Sequence, residues 1–205
     1  MCGIVGYIGH QEASAILVQG LKRLEYRGYD SAGVVMLNGE LELVKGKGKV
    51  DALAKKLQSA SPKGTLGIGH TRWATHGEPN DVNSHPHLSQ NGRISLVHNG
   101  IIENYHALKT SLQKKGYIFQ SDTDTEVVVN LIEEIYDDGA VSFEGAIQLA
   151  LQQIVGTYGL AIVNLDEPDR IYVARKGSPL LLGLGDGEMF IASDASPMVE
   201  HTSKV

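Results

Sequence analysis

The order of its predicted elements constrains this 205-residue chain more than any single motif. Three stretches that read as helices, residues 104–115, 124–136 and 142–155, stand together. Strand-like apolar runs crowd on both sides: 3–9, 33–37, 40–44, 65–70 and 94–98 before them, and 158–164, 170–174, 180–184 and 189–192 after. Two further helices, 12–27 and 50–57, fall within the first group. A parallel α/β fold needs strand and helix to alternate, because each crossover helix carries the chain back to begin the next strand. Grouped helices between strand-rich ends point instead to two sheets packed face to face, with helices over both outer faces. No Pro/Gly/Ser linker, repeat or low-complexity tract marks an internal boundary.

Local signals add detail. Ala15, Ile16, Leu17, Val18, Leu21 and Leu24 give helix 12–27 a broad apolar face. Asn38-Gly39 between apolar runs predicts a tight hairpin. Asn99-Gly100, after strand 94–98, reads as another turn, and Gly183-Leu184-Gly185-Asp186-Gly187 as a hairpin turn. Gly46-Lys47-Gly48-Lys49 lacks the G-x-x-x-x-G-K-[ST] spacing of a phosphate loop and is expected to be a solvated turn. Thr123 and Glu126 stand in capping-box positions, predicted to satisfy two free N–H groups at the start of helix 124–136. Asp124 falls in its first turn, where a carboxylate complements the helix dipole. The run from Ala195 looks like the start of another element.

Composition excludes several roles. Lys+Arg 18 against Asp+Glu 24 leaves a formal charge of −6. Nucleic-acid and membrane-surface binding both require a basic face, so neither partner is expected. No apolar run approaches the roughly 18 residues of a membrane span. The N-terminus lacks the basic start and apolar core of a signal peptide. One cysteine and no export signal suit a reducing cytoplasm.

That one cysteine, Cys2, carries the candidate chemistry. Removal of Met1 would leave its α-amine beside its thiol, a base and a nucleophile on one residue. The thiol has a reference pKa of about 8.5 and the amine of about 7.7–8.0, so the amine can take the thiol proton and return it to a leaving group. The alternative is a small buried hydrophobe. The apolar run that follows, Gly3-Ile4-Val5-Gly6-Tyr7-Ile8-Gly9, would fix the cysteine at the start of a core strand, as a nucleophile requires. Six of the eight histidines fall between residues 70 and 106. With no H-E-x-x-H motif and no cysteine nearby, hydrogen bonding rather than metal ligation is their expected role; neither metal nor cofactor is expected.

Three separated stretches agree on a resemblance. Cys2-Gly3-Ile4-Val5-Gly6, Gly69-His70-Thr71-Arg72-Trp73-Ala74-Thr75-His76-Gly77 and His98-Asn99-Gly100 resemble the glutamine amidotransferases of the N-terminal-nucleophile hydrolase superfamily. Leu24-Glu25-Tyr26-Arg27-Gly28-Tyr29-Asp30-Ser31-Ala32-Gly33 and Ser121-Asp122-Thr123-Asp124-Thr125-Glu126 are most similar to the glutaminase domain of glucosamine-6-phosphate synthases. The resemblance implies an α+β fold, a four-layer αββα sandwich, over residues 1–205, and cleavage of L-glutamine to glutamate and ammonia through a γ-glutamyl thioester. It implies Cys2 as nucleophile, with Asn99 and Gly100 as the oxyanion hole. Arg72 is implied for the substrate carboxylate, Asp124 for its ammonium, and Thr75 and His76 for further contacts. Trp73 is implied as a cover and Arg27 as a support for the nucleophile region. Sugar-phosphate isomerase domains, absent from these 205 residues, would use the ammonia, in a full-length enzyme expected to be a cytoplasmic dimer. The family's domain usually runs on past residues 201–203, so a C-terminal strand is expected to be missing. Two alternatives stay open: the glutaminase domain of another amidotransferase, such as amidophosphoribosyltransferase, or a non-catalytic glutamine-binding module if Met1 is retained.

Overall fold

Alternation along the strands sorts the side chains into layers, because successive residues point to opposite faces. The structure is a computed structural model and describes residues 2–73 and 77–205. On Gly3–Ile8 (β1), Ile4 joins one buried cluster while Val5 and Tyr7 join another. Ser31–Leu37 (β2) divides in the same way, Val35 and Leu37 against Ala32, Val34 and Met36. Leu66–Arg72 (β4) adds Leu66 and Ile68 to the Ile4 side. That side meets Val97 of Ile94–Ile102 (β6) and Ala161 and Val163 of Gly156–Asn164 (β7), so it is the seam between two sheets.

The two outer faces carry the helices. Ala13–Leu24 (α1) and Val50–Ala60 (α2) bury Leu17, Leu21, Leu53 and Leu57 against Val5, Val34 and Met36. Tyr105–Lys114 (α3), Asp124–Asp137 (α4) and Phe143–Gln153 (α5) cover Leu96, Leu160 and Ile162 on the other side. Helix, sheet, sheet, helix is the expected four-layer sandwich.

The remaining strands are Leu41–Lys47 (β3), His87–Leu88 (β5), Tyr172–Lys176 (β8), Leu181–Leu184 (β9) and Met189–Ala192 (β10). One sheet runs β3-β2-β4-β1-β10-β9 and the other β5-β6-β7-β8. The pairings between these strands are antiparallel. The chain thus lays down four strands of the first sheet, builds the second with its three helices, and returns to finish the first. That itinerary accounts for the grouped helices.

Three local expectations need correction. Asn99-Gly100 is not a turn: both lie inside β6, opposite Gly159 and Tyr158 of β7. The strand continues because its partner is β7, a distant segment, and not the run that follows the Asn-Gly pair. Gly46 and Lys47 belong to β3, paired with Ala32 and Ser31, and only Gly48 turns, at φ +112°. The capping box is half made. Thr123 Oγ1 accepts from the Glu126 N–H at 3.3 Å, but the Glu126 carboxylate accepts instead from the N–H groups of Gln120 (2.9 Å) and Ser121 (2.7 Å). The hairpin at Asn38-Gly39 and the one between β9 and β10 are as expected. Residues 195–205 contain turns and no helix or strand, and Met198 within them is buried against the α1 layer.

Candidate active site

Cys2 stands immediately before β1, at the centre of the six-stranded sheet. Alternation from Ile4 turns its side chain toward the second sheet. The strand behind it is held on both sides. Gly3 pairs with Thr71, the Ile4 N–H donates to Ser193 Oγ at 3.0 Å, and Ile4 O accepts from the Ser193 N–H at 3.1 Å. Gly3 has no room for a side chain, since a Cβ would lie 2.7 Å from Thr71 Oγ1 and 2.8 Å from Leu24 Cβ. Cys2 Sγ accepts from the Trp73 N–H at 3.2 Å. Burial pushes the thiol pKa up and the Trp73 N–H pulls part of it back, while Asp30 raises it and Arg72 lowers it. The resting sulfur is therefore protonated at neutral pH and needs a base to become a nucleophile.

β4 ends beside Cys2 and supplies the next residues. His70 and Arg72 follow Leu66 and Ile68 in alternation, so both face the second sheet. Arg72 is 3% exposed; its Nη2 donates to Gly77 O at 3.0 Å and its Nη1 to Glu78 O at 3.4 Å, with Asp30 Oδ1 3.9 Å away. From the opposite sheet, Asn99 of β6 points back across the seam. Its Nδ2 donates to Cys2 O at 3.2 Å and its Oδ1 lies 2.9 Å from His70 Nε2. Gly100 follows at φ +131°, with the space of a Cβ lying 2.2 Å from Thr157 O. Only glycine fits there. Asp124, in the first turn of α4, is 5% exposed and its Oδ2 accepts from the Ile102 N–H at 2.8 Å.

These groups share one cleft of about 360 Å³, lined by Cys2, Arg72, Asn99, Gly100 and Asp124, with Arg27 and Trp73 at its walls. It pairs a thiol with an amide donor, and a guanidinium with a carboxylate. That set suits acyl transfer on a zwitterionic amino acid carrying an amide. The glutamine amidotransferase domain family matches residues 70–200. The chain belongs to this family.

Relatives of this amidotransferase domain are longer proteins. The glutamine–fructose-6-phosphate aminotransferase (isomerizing) of Chlorobaculum tepidum is 58% identical over 209 residues, covering 100% of this chain and 34% of the relative. That of Thermococcus kodakarensis is 58% identical over 206 residues, with the same coverage of 100% and 34%. The chain thus spans about a third of the length of the relatives it matches. A glutamine phosphoribosylpyrophosphate amidotransferase from B. subtilis superposes with a TM-score of 0.85 at 32% identity, over 98% of this chain and 44% of that one.

Of the residues singled out in the sequence, the cleft gathers Cys2, Arg27, Arg72, Trp73, Asn99, Gly100 and Asp124. Thr75 and His76 lie outside the described residues. Arg27 Nη1 donates to Ser193 O at 3.2 Å and lies 3.5 Å from Asp194 Oδ2, tying the turn after α1 to the segment that clamps Ile4. Trp73 is 55% exposed and lies over Gly28, where a Cβ would come within 2.8 Å of its Cε3.

Four histidines of the 70–106 region, His70, His85, His87 and His98, make ring hydrogen bonds. His85 Nε2 is 2.8 Å and His98 Nδ1 3.2 Å from Thr125 Oγ1, and His87 Nε2 is 3.1 Å from Thr123 Oγ1. Burial drives His70 down to about 3 and holds His85 and His87 well below the ordinary imidazole value. They are neutral at physiological pH. Thr125 and His85, which also line the cleft, were not legible in the sequence as site residues. Their place depends on α4 meeting the segment at residue 85, where Thr125 and His85 hydrogen-bond directly, and no local pattern reports that.

Proposed function

We propose that this chain is the glutaminase part of a glutamine–fructose-6-phosphate aminotransferase (isomerizing), releasing ammonia from L-glutamine for amino-sugar synthesis. The observation that carries this reading is the convergence of Cys2, Asn99, Arg72 and Asp124 on one cleft from three different layers of the fold. Sequence identity of 58% to two such synthases, against 32% to the phosphoribosylpyrophosphate amidotransferase, supports the choice of acceptor chemistry.

Once Met1 is removed, the Cys2 amine takes the thiol proton and the thiolate attacks the glutamine side-chain amide carbon. The π pair of that carbonyl moves to oxygen, where Asn99 Nδ2 and the Gly100 N–H stabilise it. Collapse of the tetrahedral intermediate breaks the C–N bond, and the ammonium of Cys2 protonates the leaving nitrogen to give ammonia. Water, deprotonated by the same amine, then attacks the γ-glutamyl thioester, releasing glutamate and regenerating the thiol. Arg72 holds the substrate α-carboxylate through its planar fork, and Asp124 holds the α-ammonium. Thr75 and His76 add substrate contacts, Trp73 covers the cleft, and Arg27 steadies the strand behind Cys2. No cofactor or metal has a part in this sequence. In the full-length enzyme, taken to be a cytoplasmic dimer, residues 1–205 act as one domain and sugar-phosphate isomerase domains consume the ammonia.

Glutamate release from glutamine, measured on protein whose first residue is Cys2 by intact mass, tests the reading. Activity that is blocked by a thiol-reactive glutamine analogue and lost in Cys2→Ala supports it. Full activity in Cys2→Ala removes it.

A further inference from the structure

The amide of Asn99 can serve an oxyanion only with its nitrogen toward the reacting carbon. Rotated by 180°, it would present a carbonyl oxygen to a developing negative charge. We propose that His70 is the positioning residue that fixes this orientation, by holding Asn99 Oδ1 away from the cleft with an obligatory Nε2–H donor. The inference rests on the reading of Asn99 as an oxyanion donor and deepens it.

His70 Nε2 lies 2.9 Å from Asn99 Oδ1 and 3.1 Å from the backbone oxygen of His98. A peptide carbonyl can only accept, so Nε2 carries the hydrogen and shares it between the two oxygens. This assigns both ambiguous groups at once: His70 is the Nε2–H tautomer, and the Asn99 atom facing it is oxygen. The Asn99 nitrogen is then the atom 3.2 Å from Cys2 O. The other ring nitrogen, His70 Nδ1, is buried and has no hydrogen-bond partner in the described structure, as befits a bare lone pair and not an N–H. Protonation would add a second buried donor there, and full burial, with a pKa near 3, keeps the ring neutral. The ring plane is held by stacking on His85, centroids 4.2 Å apart at 27°, and His85 is itself tied to Thr125. His70 is fully buried and is not among the residues that line the cleft. It acts through Asn99.

Substitution and binding separate this role from a structural one. His70→Leu removes the donor, and His70→Met does so with a flexible chain that fills the same space. His70→Gln returns an N–H at the Nε2 position. The account expects Leu and Met to lower kcat for glutamine hydrolysis about 10²–10³-fold with KM changed less than threefold, the loss typical of one missing oxyanion donor. Gln should recover to within about tenfold of the unsubstituted chain. In an Asn99→Ala background His70→Leu should cost less than about threefold, because the donor it orients is gone.

Glutamate γ-semialdehyde supplies a second readout. The Cys2 sulfur adds to the aldehyde carbon, the C=O π pair moves to oxygen, and the thiol proton ends on that oxygen. The hemithioacetal thus places an oxygen where the tetrahedral intermediate has one. His70→Leu should weaken semialdehyde binding in step with kcat and leave inhibition by glutamate unchanged. Equal weakening of both ligands, or a kcat within threefold of the unsubstituted chain, overturns the proposal. Nitrogen-15 NMR of the unsubstituted chain requires no folded variant: an Nδ1–H tautomer or a charged ring at pH 7 overturns it, and an Nε2–H tautomer supports it. Absence of glutamine hydrolysis from Cys2-first protein would instead sink the functional reading, and this proposal with it.

Discussion

Asn99 and Cys2 belong to different sheets, yet the Asn99 side-chain nitrogen sits 3.2 Å from the Cys2 carbonyl oxygen. The contact bridges the seam between the two sheets and puts an amide donor beside Cys2, the proposed nucleophile. Preorganisation of this kind lowers a barrier without reorganisation at the moment of reaction.

Removal of that donor should be felt in turnover and not in binding. Asn99→Ala is expected to lower kcat about 10²–10³-fold while KM stays within a few fold. Steady-state glutaminase kinetics check this. An equal loss carried wholly by KM would place Asn99 in ground-state binding.

Arg72 predicts the opposite split. Its guanidinium faces the cleft while donating to Gly77 O and Glu78 O, so a lysine would lose both the bidentate geometry and one backbone anchor. Arg72→Lys should raise KM for glutamine by about tenfold or more, the loss of a charge-assisted hydrogen bond worth about 1.5–3 kcal/mol, with a smaller change in kcat.

Much of this architecture was legible from the chain. The period-two pattern of Ile4, Val5 and Tyr7 already divides seam from outer face, and the grouping of three helices already excludes a parallel sheet. Cys2 was singled out because loss of Met1 would put an amine and a thiol on one residue ahead of a buried strand, and the structure places it before β1 in the cleft. Asn99-Gly100 was misread as a turn because the dipeptide signal is local, whereas its pairing partner Gly159-Tyr158 lies some sixty residues away. The half-made capping box failed for a different reason, since the competing partner lies only five residues upstream. Glu126 finds Ser121 Oγ at 2.6 Å, a partner created by the loop path and not by helix geometry. His70 was visible in a motif, but its bond to Asn99 is a contact between sheets and no spacing encodes it.

Gly100 should tolerate no side chain. Its φ of +131° and the 2.2 Å approach of Thr157 O to a Cβ both oppose alanine. Gly100→Ala is expected to cost on the order of 1–3 kcal/mol of stability from strained backbone alone, with further loss from the clash. Urea unfolding checks this, and a stability equal to the unsubstituted chain would contradict it.

Acid should weaken the fold before the carboxylates titrate. His70, His85 and His87 have folded-state pKa values pushed below the ordinary imidazole value by burial, to about 3 for His70. Below about pH 6.5 the unfolded chain takes up protons that the folded chain refuses, so stability is full above that value and falls as pH drops toward the folded pKa. Each such group contributes a slope of up to about 1.4 kcal/mol per pH unit. The urea midpoint is expected to fall steadily between pH 7 and pH 5; a flat profile over that window would contradict the burial of neutral imidazoles.

The central claim is that the free amine of Cys2 is the base for its own sulfur. Two preparations of the same chain test it most directly, one with Met1 removed and one with Met1 retained, each verified by intact mass and assayed for glutamate release from glutamine. The account predicts hydrolysis by the Cys2-first protein and a loss of at least about 10²-fold when the amine is locked in a peptide bond. Equal rates from the two preparations would contradict it.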